Sequence, residues 1–241
     1  MKSTIASVLL VLAASASAAA FDDKDDLKAA ARKLSEAPNY SWTSTTKNNA
    51  ENAGAPARFA SGPVEGKSEK DGVTWVQMKQ GENSFEAAFK GEKFAMKIKD
   101  MWMGAGDAPG GAQPGRPDMA AMMGRMLKNI KPGAKGVEDS IDKIENLKNE
   151  GDGVYSGQFT PEGAKEQLAP PGVPNVTAMD AKGSIKFWVK DGRLAKIEST
   201  LQGKMTIGQR EREINRTTTT EFKDVGSTKI ELPEEAKKKL E

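Results

Sequence analysis

The sequence contains no cysteine and no histidine among its 241 residues. Without cysteine the chain can form no disulfide and carries no lipobox, so burial of a core must stabilise the fold. The two absences also exclude Cys–His and Ser–His–Asp nucleophiles, the usual zinc sites and the commonest general base. We therefore expect a protein that is not an enzyme and that needs no cofactor.

An excess of charge of either sign is also missing. The chain has 36 basic and 34 acidic residues, a formal net charge of +2, and the two signs are interspersed. No basic stripe is interleaved with aromatic residues, so a nucleic-acid partner is not expected. Most carboxylates lie at turns or alternate outward on strands, as Glu211 and Glu213 do beside arginines. That pattern favours a solvated, ion-paired surface over a pair of catalytic acids.

The N-terminus has the layout of a secretory signal peptide over residues 1–20. Lys2 precedes an apolar run from Ile5 to Ala14, and small residues then lead to Phe21. The run is shorter than the roughly 20 residues that span a bilayer. We expect an exported protein, periplasmic or secreted, that is soluble after cleavage and has no transmembrane anchor. Residues 21–241 are expected to form a single domain.

The first part of that domain predicts a helix followed by antiparallel strands. Leu27 and Leu34 recur at helical spacing within Asp22–Ala37, and Pro38 ends the helix. From Tyr40 to Trp102 apolar residues alternate with polar ones. Such alternation indicates an antiparallel sheet with one covered face and one solvated face.

The middle of the chain is less regular. Residues 104–117 are rich in glycine and proline, which predicts a long mobile loop. Asp118–Ile130 follows as a helix with methionines on one face. Val137–Leu147 is ambiguous and weakly favours helix, whereas Val154–Phe159 predicts a short strand. Thr160 and Pro161 then have the residue types of a helix N-cap and first helical position.

The C-terminal third predicts a strand meander. Apolar residues alternate through residues 184–201, with a two-residue hairpin loop at Asp191–Gly192 and a further turn at Gln202–Gly203. A long strand from Arg210 to Phe222 and a helix from Pro233 to Leu240 complete the chain.

The order of these elements and the meander from Lys182–Leu194 to Thr219–Gly226 resemble the periplasmic lipoprotein-carrier superfamily. LolA and the mycobacterial LppX/LprG proteins typify that superfamily. The resemblance implies an α+β fold: a curved antiparallel β-sheet, or open half-barrel, with helices packed on its concave face. It also implies that acyl chains are held between the sheet and the helices.

Two groups of apolar side chains are candidates for ligand contact. The first lies on the predicted strands and consists of Trp75, Phe85, Phe89, Phe94, Met96 and Ile98. The second lies on the methionine-faced helix and consists of Met119, Met122, Met123 and Met126. Methionine suits an adaptable apolar surface, so this helix could act as a lid. Both groups could equally be ordinary core, and thioethers also suit Cu(I).

The sequence thus favours a non-enzymatic exported carrier or binding protein for lipid or another apolar ligand in the cell envelope. Its partner would be a lipid or acyl-chain ligand. The alternative is an envelope protein-interaction or sensor module that uses the same fold, without bound lipid, to bind a protein partner.

Overall fold

The computed structural model describes most of the chain. The described residues are 23–49, 63–80, 83–98, 100–104, 107, 134, 136–169 and 176–241. The predicted signal peptide, nearly all of the glycine- and proline-rich segment and the methionine-faced helix lie outside them.

The described residues form four helices and eleven strands. The helices are α1 (Asp23–Ser35), α2 (Val137–Asp142), α3 (Pro161–Leu168) and α4 (Glu234–Leu240). The strands are β1 (Asn39–Asn48), β2 (Val64–Glu69), β3 (Val73–Gln80), β4 (Asn83–Lys90), β5 (Lys93–Ile98), β6 (Met101–Gly104), β7 (Ile144–Gly151), β8 (Val154–Phe159), β9 (Val176–Lys190), β10 (Arg193–Ile207) and β11 (Arg210–Lys223).

All eleven strands belong to one antiparallel sheet. Their order is β6-β5-β4-β3-β2-β1-β11-β10-β9-β8-β7, so the N-terminal strand β1 joins two meanders by pairing with β11. Trp42 of β1 is paired with Phe222 of β11 at this junction. The α+β class predicted from the sequence, an open antiparallel half-barrel with short helices, is confirmed.

The registers divide the side chains between two faces, because successive residues of a strand point in opposite directions. The core face carries Trp42, Phe222, Phe187 and Leu201, and it contributes to the larger hydrophobic cluster. We call the opposite side the second face.

Helices cover both faces, whereas the prediction placed them all on one face of the sheet. Leu27 and Leu34 of α1, Ile141 of α2 and Leu168 of α3 are buried in the cluster of the core face. Helix α4 instead lies on the second face, where Ala236 and Leu240 pack with Ala88, Ala95 and Trp102 in a separate cluster. The sheet therefore buries apolar side chains on both sides over β4–β6.

Two local predictions are confirmed in detail. Thr160 caps α3, because its Oγ1 accepts a hydrogen bond of 3.1 Å from the amide of Gly163, and Pro161 opens the helix. Asp191 and Gly192 both have positive φ angles, 53° and 66°, as the tight hairpin between β9 and β10 requires.

The predicted turn at Gln202–Gly203 is wrong. Strand β10 continues through both residues, and the register to β9 shifts between Gln202 and Lys204. A Cβ at position 203 would lie 2.7 Å from Cδ1 of Leu168. The glycine is therefore explained by the close approach of α3 to the sheet, which is a common role for glycine inside a strand.

The ambiguous segment Val137–Leu147 changes structure in its middle. Helix α2 ends at Asp142, and strand β7 begins at Ile144. Ile141 and Ile144 are both buried in the larger cluster, one from each element. The weak preference for helix is correct for the first half of the segment only.

Candidate ligand-binding site

The core face of β3–β6 carries three rows of apolar side chains that we call the apolar wall. Met78 pairs with Phe85, and Ile98 pairs with Met101. Phe85 and Ile98 are neighbours because Glu86 pairs with Lys97. These four form the outer row. The inner rows consist of Val76, Ala87, Met96 and Met103, and of Phe89 and Phe94.

Exposure increases across the wall from the inner rows to the outer row. Ala87 and Met96 are buried, whereas Ile98 is 41% and Met101 64% exposed. Met78 and Phe85 are half-buried. The outer row therefore presents a line of large apolar side chains across four strands to solvent, next to a well-packed interior. Covering the outer row with an apolar ligand would remove apolar area from water, which is favourable.

Five of the six candidate residues on the predicted strands lie together on this wall: Phe85, Phe89, Phe94, Met96 and Ile98. Trp75 does not join them, because its pairing with Lys67 and Ala88 places it on the second face. Met119, Met122, Met123 and Met126 lie outside the described residues.

Trp75 is held by polar contacts on the second face. Its indole N–H donates to Oε1 of Glu86 over 2.8 Å, and Nζ of Lys67 lies 5.6 Å from the ring centroid. These three side chains line a cleft of about 650 Å³, which residues 227–231 close from the other side. Lys67 also donates to the carbonyl of Lys229, so the chain leading to α4 is anchored across this cleft.

A polar strip runs beside the apolar wall on the same core face. It consists of Ser44, Thr46 and Asn48 of β1 with Thr220, Thr218 and Arg216 opposite them on β11. The hydroxyls of Thr46 and Thr218 are 3.1 Å apart, and Thr220 donates to Ser44 over 3.1 Å. Ser44 is next to Val64 of β2, which in turn pairs with Met78. At this end of β1 and β11 the core face is thus polar, whereas the neighbouring strands β3–β6 present the apolar wall on the same face.

Arg216 is the charged member of the strip. Its Nη2 donates to the carbonyl of Gln167 over 3.1 Å, while its Nε is enclosed without a hydrogen-bond partner. Burial lowers the pKa of Arg216, since desolvation disfavours the charged guanidinium. Among the described ion pairs none involves Arg216. Trp42 Nε1 is a second enclosed donor without a partner on this face.

Sequence reasoning treated Arg216 only as part of a polar-faced strand. The available signal was the spacing of Arg216 and Phe222. The two residues are an even number of positions apart on β11, so their side chains lie on the same face.

The carboxylates with shifted pKa values are engaged in ion pairs. The pKa of Glu150 is lowered by hydrogen bonds from Lys186 and Ser156, and that of Asp107 by the amide of Gly104 and by Lys239. Lysines likewise lower the pKa values of Glu221 and Glu234. These groups are deprotonated at neutral pH and stabilise the surface of the fold.

Nowhere in the described residues do three or more Asp or Glu side chains form a group that could hold a metal ion. Every helix in this part of the chain is too short or too polar to cross a membrane.

No protein-family model matches the chain, and none of the curated proteins matches it. Solved structures do. The lipoprotein LppX of Mycobacterium tuberculosis is 10% identical with a TM-score of 0.47, and the match covers 86% of this chain and 96% of LppX. LprF of Mycobacterium bovis is 12% identical with a TM-score of 0.47, covering 88% of this chain and 96% of LprF. The structures that this chain is similar to thus include LppX, a member of the group that the sequence resembles.

Proposed function

We propose that the protein is a non-enzymatic carrier or binding protein for lipid or another apolar ligand, exported to the cell envelope. The observation that carries the proposal is the outer row of the apolar wall. Four large apolar side chains lie side by side there, and the two at the sheet edge, Ile98 and Met101, are exposed. An acyl chain laid along this row would leave water at a gain of about 0.8 kcal/mol per buried methylene.

The mechanism needs no covalent chemistry. The buried inner rows keep the strands in register, and the outer row supplies the contact surface. The ligand would therefore bind because apolar area is removed from water, and it would dissociate by the same reversible equilibrium. In this proposal the methionine-faced segment, including Met122 and Met126, would cover the bound chain as an adaptable lid.

Substitution of an exposed wall residue tests the proposal without disturbing the core. Ile98→Asp places a carboxylate on the outer row, where a bound acyl chain would have to desolvate it. We expect at least about tenfold weaker uptake of a fluorescent fatty acid, which corresponds to about 1.4 kcal/mol. Ile207→Asp is a matched control, because Ile207 is 43% exposed and lies near the far end of β10.

The two variants should have the same circular dichroism and thermal midpoint. Equal uptake by both variants and the parent protein would refute the wall as the binding surface. Native mass spectrometry of the protein purified from its own envelope should show bound lipid. Repeated recovery of an empty chain, together with one dominant cross-linked protein in intact cells, would favour the interaction module instead.

A further inference from the structure

The polar strip contains a cation for which the described residues supply no carboxylate partner. Arg216 lies on the core face with its Nε enclosed and unbonded, and in the described residues no carboxylate pairs with it. A guanidinium stays charged at any physiological pH, so its burial without an anion costs free energy. An uncompensated cation of this kind is complementary to an anion supplied from outside.

The contact with α3 accounts for only part of the side chain. Nη2 donates to the carbonyl of Gln167, at the C-terminal end of α3, where a positive charge is favoured. A guanidinium has five N–H donors, and this bond uses one of them. Asn48, directly opposite on β1, is exposed and adds an amide, while Thr218 adds a hydroxyl. The position can therefore offer several donors to the oxygens of a phosphate or carboxylate.

Arg216 lies across the polar strip from the near end of the wall. Thr220, Ser44, Val64 and Met78 form one row across four strands, and Arg216 lies four residues further along β11. At about 3.4 Å per residue and 4.8 Å per strand, Arg216 is about 20 Å from Met78 along the sheet. Half of a bilayer, with its headgroups, is also about 20 Å thick, so a lipid whose headgroup is held at Arg216 reaches the near end of the wall with the ends of its acyl chains.

We infer that Arg216 binds the acidic headgroup of an amphiphilic ligand whose acyl chains extend across the polar strip to the apolar wall. This inference rests on the proposed function and specifies its ligand class: lipids with a phosphate or carboxylate headgroup and no compensating positive charge. The guanidinium supplies bidentate, charge-assisted hydrogen bonds to the headgroup, and the wall covers the ends of the chains. A zwitterionic or neutral lipid would keep the contact between its chains and the wall but would gain little from the guanidinium.

The experiment compares two lipids with identical acyl chains. The purified protein is incubated with vesicles of phosphatidylglycerol or of phosphatidylcholine, and bound lipid is measured by mass spectrometry after gel filtration. We expect the parent protein to take up phosphatidylglycerol at about tenfold lower concentration. Arg216→Gln should remove this preference while leaving phosphatidylcholine uptake unchanged. Arg212→Gln is the matched control, because Arg212 lies on the same face of the same strand, opposite Met205.

Each outcome separates the inference from the proposed function. Equal uptake of the two lipids by the parent protein, or equal loss of preference in Arg216→Gln and Arg212→Gln, would overturn the inference and leave the carrier proposal standing. Uptake of neither lipid would overturn both. Inorganic phosphate that binds alone, with the same dependence on Arg216, would show a free-anion site and refute a lipid headgroup. Arg216→Lys, which keeps the charge, should retain phosphatidylglycerol uptake and serves if Arg216→Gln unfolds.

Discussion

Substituting Gly66 by alanine should destabilise the protein through a single contact. The Trp42 indole lies directly over Gly66, and a Cβ at position 66 would be 2.1 Å from Cε2 and 2.2 Å from Cζ2 of that ring. Ordinary contacts between carbon atoms are about 3.5–4.0 Å, so the ring would have to withdraw by about 1.5 Å. Trp42 is only 5% exposed and lies in the cluster that contains Phe222 and Val76. It therefore has little room to move.

The expected magnitude is a balance of two terms. Overpacking of a core costs about 1–3 kcal/mol. Replacing glycine by alanine restricts the unfolded chain and returns about 0.4–1 kcal/mol. We expect Gly66→Ala to lower the free energy of unfolding by about 1–2 kcal/mol, measured by guanidinium chloride denaturation monitored by circular dichroism.

A double-mutant cycle with Trp42 tests the cause. In a Trp42→Leu background the added methyl meets a smaller side chain, so Gly66→Ala should cost much less there. Gly104→Ala is a comparison on another strand with a much smaller overlap, because the added Cβ would lie 3.2 Å from Cδ of Lys239 and 3.3 Å from the carbonyl oxygen of Phe94. An equal cost of Gly66→Ala with and without the Trp42 ring would refute the reasoning, as would a stabilising effect.

Two further predictions concern a helix cap and an ion pair. Thr160→Ala removes the side chain that accepts from Gly163 and should cost about 1 kcal/mol of unfolding free energy, whereas Thr160→Ser should keep the stability of the parent. The pKa of Glu150 is lowered by Lys186, so its contribution to stability is present above the ordinary carboxyl value of about 4.3 and is lost as the pH falls through the folded value. Glu150→Gln should therefore reduce the drop in thermal midpoint between about pH 5 and pH 3, and an unchanged drop would contradict this assignment.

Elements with a local signal were predictable from the sequence. The Asp191–Gly192 hairpin, the Thr160 cap and the alternating strands β4 and β5 depend on residues within a few positions of one another. The glycine at position 203 was misleading, because it resembles a turn residue locally yet lies in a strand. Its positive φ of 154° and the close approach of Leu168 explain it. Gly66 likewise lies in a strand, directly against the distant ring of Trp42.

Local sequence patterns also could not predict that the candidate residues are divided between two faces of the sheet. Strand β3 is apolar on both sides, with Val73 and Trp75 on one face and Val76 and Met78 on the other. A period of two groups residues within a strand but does not say which group meets the ligand when both are apolar.

The second face of this region is apolar because α4 covers part of it. Trp75 packs against the cluster of α4, whose residues follow it by about 160 positions in the sequence. Because both faces of β3–β6 are apolar for different reasons, hydrophobicity alone cannot mark the ligand surface. The exposure of the apolar side chains does distinguish the two faces. The second cluster is buried by α4, whereas the outer row of the wall is exposed at Ile98 and Met101. The proposed binding surface is therefore the face of β3–β6 on which Ile98 and Met101 remain exposed, beside the polar strip whose Arg216 has no ion-pair partner among the described residues.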